Sequence, residues 1–164
     1  MRMKRMIGSA LLAASPLAAH PASDHAKLAK TMPSQSSDEA AVISVLAQYK
    51  GAVEKLDASG TQRLFASDSA MFETGGVEGN YANYLAHHLI PELGEFKSFR
   101  YSNYKIEVRF VGPVALTSES YSYRIETKKG EVAERLGVAT SVLTKVNGSW
   151  KILSMHNSAR RPKV

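Results

Sequence analysis

Residues 96–160 hold four long strand-like stretches joined by turns too short for anything but hairpins. The first, FKSFRYSNYKIEVRFV, alternates in its second half, with Tyr104, Ile106, Val108 and Phe110 on one side. A "GP" turn leads into VALTSESYSYRIET and "KKG" into EVAERLGVATSVLTKV; "NG", a strong hairpin signal, leads into SWKILSMHNSAR. Strands linked this tightly pair antiparallel, because a parallel return needs a crossover of a dozen residues or more. The sequence therefore predicts a four-stranded antiparallel meander.

What precedes it is helical. In SSDEAAVISVLAQYKGAVEKLD the apolar residues Val42, Val45, Leu46, Tyr49, Val53 and Leu56 recur at helical spacing and form one stripe. Ser36 and Glu39 have the spacing of a capping box, with Ser37 or Asp38 as alternative caps. "ASG" breaks this helix, TQRLFA is long enough for a turn or two, and SAMFET reads as a short strand before a "GG" turn. A further helix is expected over 79–90, stopped by Pro91. Helices followed by a meander make an α+β domain, with the helices on one face of the sheet.

That last helix carries His87 and His88, two of only five histidines. At 100° per residue, Tyr81, Leu85 and Leu89 define one face, with Tyr84 and His88 on its flank. His87 falls almost opposite, beside Asn80 and Asn83, so the two histidines cannot chelate one ion. His88 is the one expected to face the interior. The chain has no cysteine, so any metal would be held by histidine and carboxylate alone.

The N-terminus reads as an export signal. MRMKR is a basic n-region, MIGSALLAASPLAA a short apolar h-region, and "LAA" a small-residue cleavage site ending near Ala19. Residues 1–19 are thus expected to be a signal peptide, 20–37 a flexible leader, 38–160 the folded domain and 161–164 a basic tail. The expected location is exported, periplasmic or secreted, with no membrane anchor, since the apolar run is too short to span a bilayer. The formal charge of +6 includes Arg2, Lys4 and Arg5, and without those three it is +3. No basic groove studded with aromatics is present, so nucleic acid is not an expected partner.

The order helix, helix, short strand, helix and four long strands resembles the nuclear-transport-factor-2-like superfamily. More narrowly it resembles the SnoaL-like and ketosteroid-isomerase-like branch. The ending VLTKVNGSWKILSMHNS and the "GG" and EGNY stretch carry the likeness, which covers about residues 38–160. The resemblance implies a cone-shaped, cystatin-like α+β fold, a curved and mainly antiparallel sheet packed on N-terminal helices around an open-ended pocket. Alternation along the strands then selects the residues facing that pocket. In the last strand Trp150, Ile152, Ser154, His156 and Ser158 share a face; two strands earlier Ala115, Thr117, Glu119, Tyr121, Tyr123 and Ile125 do. Candidate ligand-binding residues are therefore Tyr49, His88, Glu119, Tyr121 and His156. Glu119 is read either as a pocket residue or as the ion-pair partner of Arg135, and no face is assigned to Glu73 or Glu78.

The superfamily holds isomerases, cyclases, dehydratases and binding modules, so the fold leaves three readings open. One is a module binding a small, partly apolar ligand through its aromatics, with no cofactor. Another is an acid–base enzyme of isomerase, dehydratase or cyclase type, with Glu119 and His156 as catalytic candidates. The third is a metal site converging from His88, His156 and a carboxylate of Glu73, Glu78 or Glu119. A homodimer through the outer face of the sheet is the expected assembly.

Overall fold

The computed structural model describes residues 33–163. The expected signal peptide, His20, His25 and most of the leader lie outside the described residues. Helix α1 (Pro33–Glu54) leads through a short 3-10 turn (Thr61–Leu64) to strands β1 (Phe65–Glu73) and β2 (Gly76–Gly79). Helix α2 (Tyr81–Tyr84), a π-helical turn (Leu85–Leu89) and α3 (Ile90–Glu95) follow without a break. The meander is β3 (Phe96–Val111), β4 (Val114–Thr127), β5 (Val132–Val146) and β6 (Ser149–Arg160). No helix among the described residues is long and apolar enough to cross a membrane.

The six strands form one sheet in the order β2-β1-β6-β5-β4-β3. The meander pairs antiparallel as expected, and β1 joins its far side parallel to β6, with Met71 beside Met155 and Glu73 beside Asn157. The α+β architecture read from the sequence is the one observed. Some details differ from expectation. Helix α1 already begins at Pro33, upstream of the capping box, and β2 pairs with β1 across the "GG" turn.

The stripe on α1 is the core it was expected to be. Val42, Val45, Leu46, Tyr49 and Val53 are buried, and they meet Leu143, Trp150, Ile152 and Met155 from the sheet. Full burial of each aliphatic side chain stabilises the fold by about 1.5–3 kcal/mol relative to exposure. Phe65 and Tyr81 stack with ring centroids 3.5 Å apart. The Thr61 hydroxyl donates to the Ala58 carbonyl, so the Tyr81 hydroxyl donates to Thr61 across 2.7 Å. Burial pushes the Tyr81 hydroxyl up to about 12, which keeps it a donor.

Pro91 does not stop the helix of residues 79–90. It lacks an N–H and its ring crowds the carbonyl four residues back, and the preceding turn widens to π geometry, where Ile90 N–H bonds to the Leu85 carbonyl. The helix therefore runs on to Glu95.

Candidate functional site

The concave face of the sheet and the helices line a partly open cavity of about 130 Å³. Its polar groups Glu73, Asn157 and Glu119 lie on a single row that crosses five strands. Glu73 on β1 sits beside Asn157 on β6, Asn157 opposite Ala139 on β5, Ala139 opposite Glu119 on β4, and Glu119 opposite Ile106 on β3. Tyrosines supply the walls: Tyr49 from α1, Tyr84 from α2, Tyr101 and Tyr104 from β3, Tyr121 and Tyr123 from β4.

β3 can present both Tyr101 and Tyr104, three residues apart, because its register slips between Ser102 and Lys105, where Asn103 takes a positive φ of 52°. A bulge of this kind inserts residues and returns the following side chains to the same face. The ring of Tyr121 lies over Gly137, its cross-strand partner; a Cβ there would fall 2.2 Å from Tyr121 Cε2. Glycine at 137 lets Tyr121 lie flat against the sheet.

Glu119 is 8% exposed. One carboxyl oxygen accepts a short hydrogen bond from the Tyr104 hydroxyl, and the other, Oε1, is buried without a hydrogen-bond partner among the described residues. Burial raises the Glu119 carboxyl above its ordinary value, against the opposing pull of the Tyr104 bond. The same burial, with Glu119 alongside, raises the hydroxyls of Tyr104 and Tyr121, so both stay protonated donors. One row deeper, the paired Thr117 and Ser141 also keep buried hydroxyl oxygens unpartnered. At the opposite end Tyr84 donates to Glu73 Oε2 at 2.8 Å, and burial with the Glu73 charge raises the Glu92 carboxyl.

The sequence profile of the SnoaL-like domain matches residues 42–162. The chain belongs to the SnoaL-like family. Solved structures agree on the superfamily. A nuclear-transport-factor-2-like superfamily protein from Salmonella enterica is 16% identical with a TM-score of 0.70, over 79% of this chain and 95% of that one. A protein of Novosphingobium aromaticivorans, provisionally assigned as a scytalone dehydratase, is 16% identical with a TM-score of 0.67, over 79% and 91%. One of Shewanella frigidimarina, provisionally assigned as a ketosteroid isomerase, is 23% identical with a TM-score of 0.62, over 70% and 92%. At these identities the likeness is one of fold. No curated protein matches the chain.

Within this SnoaL-like frame the sequence-derived candidates separate. Tyr49, Glu119 and Tyr121 all line the cavity, and Glu73 joins them at its far end. Glu119 does not pair with Arg135, whose cross-strand partner is Tyr123. His88 stands outside the lining, stacked on Tyr84 at 5.1 Å, with Nε2 3.5 Å from Glu73 and Nδ1 3.5 Å from Glu78. His156 is the correction. It is exposed on the outer face of the sheet, edge-on to Phe72.

The cause is one extra residue. Leu143 pairs with Ile152 but Val142 pairs with Ser154, leaving Leu153 as a bulge in β6. A one-residue shift moves every later side chain to the other face. Met155 and Asn157 therefore point into the cavity where His156 and Ser154 were expected. A metal site uniting His88 with His156 fails for the same reason, since the sheet lies between them. Among the described residues no group of three or more histidine, aspartate or glutamate side chains is placed to hold a metal ion.

Asn157 was missed because nothing in SMHNS marks a bulge. Tyr101 and Tyr104 could have been found together: their spacing of three, with Asn103 between them, is what a left-handed bulge residue permits.

Proposed function

We propose that the protein binds a small, partly apolar organic molecule in the tyrosine-walled cavity, with Glu119 as its polar anchor. The buried, unpartnered Oε1 of Glu119 carries this reading. A buried polar atom left unpaired costs about 1–3 kcal/mol, and a ligand that donates a hydrogen bond to it recovers that cost. A cavity of about 130 Å³ suits a single ring, since a cavity of roughly 150 Å³ holds benzene. Titration with phenol and with cyclohexanol, followed by calorimetry, tests the proposal. Saturable binding that Glu119→Leu weakens is expected; no binding of either probe by the native chain overturns it.

A second reading, acid–base catalysis, is favoured by one specific feature, the bond from Tyr104 to a desolvated Glu119. A carboxylate poised by burial can take a proton beside a substrate carbonyl, and the tyrosine hydroxyls can donate to the oxyanion that develops. The structural neighbours provisionally assigned as a dehydratase and an isomerase are consistent with this chemistry. Here Glu119 acts alone, since His156 lies on the other face of the sheet. Glu119→Gln would abolish turnover while sparing affinity; equal loss of both leaves only the binding role.

The basic, apolar and small-residue segments at the N-terminus support export. Mass analysis of the chain recovered outside the cytoplasm would then begin after Ala19, and a chain beginning at Met1 there would refute cleavage. A homodimer through the outer sheet face is supported by Val138, 53% exposed among Ser118, Ser120 and Thr140. A strict monomer at high concentration, measured by sedimentation, ends that idea.

A further inference from the structure

The cavity has a charge as well as a size. Among the described residues three carboxylates line it, those of Glu73, Glu92 and Glu119, against one cation, Lys50. Lys50 is already neutralised, because its ammonium sits 2.7 Å from Glu54 Oε2. No arginine or histidine among the described residues is in the lining. Outside it, His88 faces Glu73, Glu78 and Glu92. The walls between the carboxylates are aromatic, with Tyr101, Tyr104, Tyr121 and Tyr123 on β3 and β4 and Tyr49 and Tyr84 on the helices.

We propose that the ligand is an organic cation: an ammonium group carried on an apolar body of about single-ring size. This rests on the reading of the cavity as a small-molecule site and adds its charge class. Aromatic faces attract cations through the negative face of the ring, most strongly where water is excluded. The protein itself shows the attraction at the rim, where the Lys50 ammonium lies 5.1 Å from the Tyr101 ring centroid and 5.5 Å from that of Tyr104. Deeper in, Glu119 Oε1 offers a buried acceptor without a partner. An ammonium satisfies both features at once, since it donates to the carboxylate and rests on the rings. An anion meets three carboxylates and no free counter-charge. A neutral alcohol satisfies the acceptor and leaves the ring faces and the net negative charge unused.

Three probes of nearly the same shape separate the outcomes: benzylamine, benzyl alcohol and benzoate, titrated calorimetrically into the full chain at neutral pH. Benzylamine is expected to bind about ten-fold or more tighter than benzyl alcohol, with benzoate showing no saturable binding. Glu119→Gln, which keeps the shape of the side chain and an acceptor for Tyr104, would bring benzylamine down to the level of the alcohol. Tyr101→Leu would lower benzylamine more than the alcohol. His156→Ala, on the outer face, would change none of the three. If the alcohol binds as tightly as the amine, or benzoate binds best, selection for a cation is wrong while the small-molecule site stands. If none of the three binds, the site reading falls and this proposal falls with it.

Discussion

Gly137 and Glu119 show how single positions set the character of the cavity. A methyl at 137 would collide with the Tyr121 ring at 2.2 Å, so Gly137→Ala must lift that ring off the sheet. Overpacking of this kind typically costs about 1–3 kcal/mol, and a thermal melt should show a lowered midpoint together with weaker ligand binding. Glu119 carries a cost of the opposite kind, an ionisable group held away from water. Its carboxyl is raised above the ordinary 4.5 in the folded protein, so the folded state holds its proton more tightly than the unfolded chain does. Its contribution to stability is therefore fully present below pH 4.5 and is lost as pH rises through the higher folded value. Glu119→Gln should raise the melting midpoint at neutral pH, with the difference shrinking to nothing in acid. A difference that stays constant with pH would show that Glu119 is no more desolvated in the fold than in the unfolded chain. Glu119 was legible in the sequence because β4 alternates without a break from Ala115 to Ile125.

At the scale of elements, three irregularities place the site, and the sequence marks them unequally. Asn103 in β3 has the residue type that tolerates a left-handed backbone, and Pro91 announces a disturbed helix; Leu153 in β6 announces nothing. Alternation is a local pattern, whereas a bulge is fixed by what the neighbouring strands demand. Period-two reasoning therefore held along β4 and failed at the far end of β6, where it turned His156 inward. His156→Ala should accordingly change stability by no more than about 0.5 kcal/mol, read from a denaturant melt. A large loss would place His156 in the packing after all. The attachment of α1 makes a stronger prediction. Asp38 accepts from Lys145 Nζ and from Trp150 Nε1, holding α1 to the β5–β6 hairpin. The Lys145 bond, then the Trp150 bond, lowers its carboxyl below the ordinary 3.8. Stability from this contact is thus present above pH 3.8 and is lost as pH falls through the lower folded value. Asp38→Ala should lower the melting midpoint at neutral pH and match the native chain in strong acid.

The whole sheet has to end somewhere, and its two edges end differently. The edge at β2 is four residues long, whereas β3 runs for sixteen and would offer a long template for pairing with another chain. The meander was legible from its turns, but this hazard and its cure were not, because the cure comes from a residue in another element. Glu54, at the end of α1, accepts from the Tyr101 N–H at 3.0 Å and holds Lys50 at 2.7 Å. Burial alone would raise its carboxyl, yet the bonds from Lys50 and the Tyr101 amide outweigh it and leave the value lowered. One side chain thereby satisfies a backbone donor beside the β3 bulge and keeps Lys50 over the rings of Tyr101 and Tyr104. Exposed charges at Lys97, Arg100, Lys105, Glu107 and Arg109 protect the rest of the strand. Glu54→Ala removes the acceptor and frees Lys50 at once. The unpaired amide should cost about 1–3 kcal/mol, and the opened edge should associate on mild heating, seen as a rise in light scattering below the melting midpoint. Glu54→Gln keeps an acceptor for the amide and gives up the ion pair, so it should melt lower with no early scattering. Should both variants scatter alike, the Lys50 ion pair rather than the capped amide is what guards the edge.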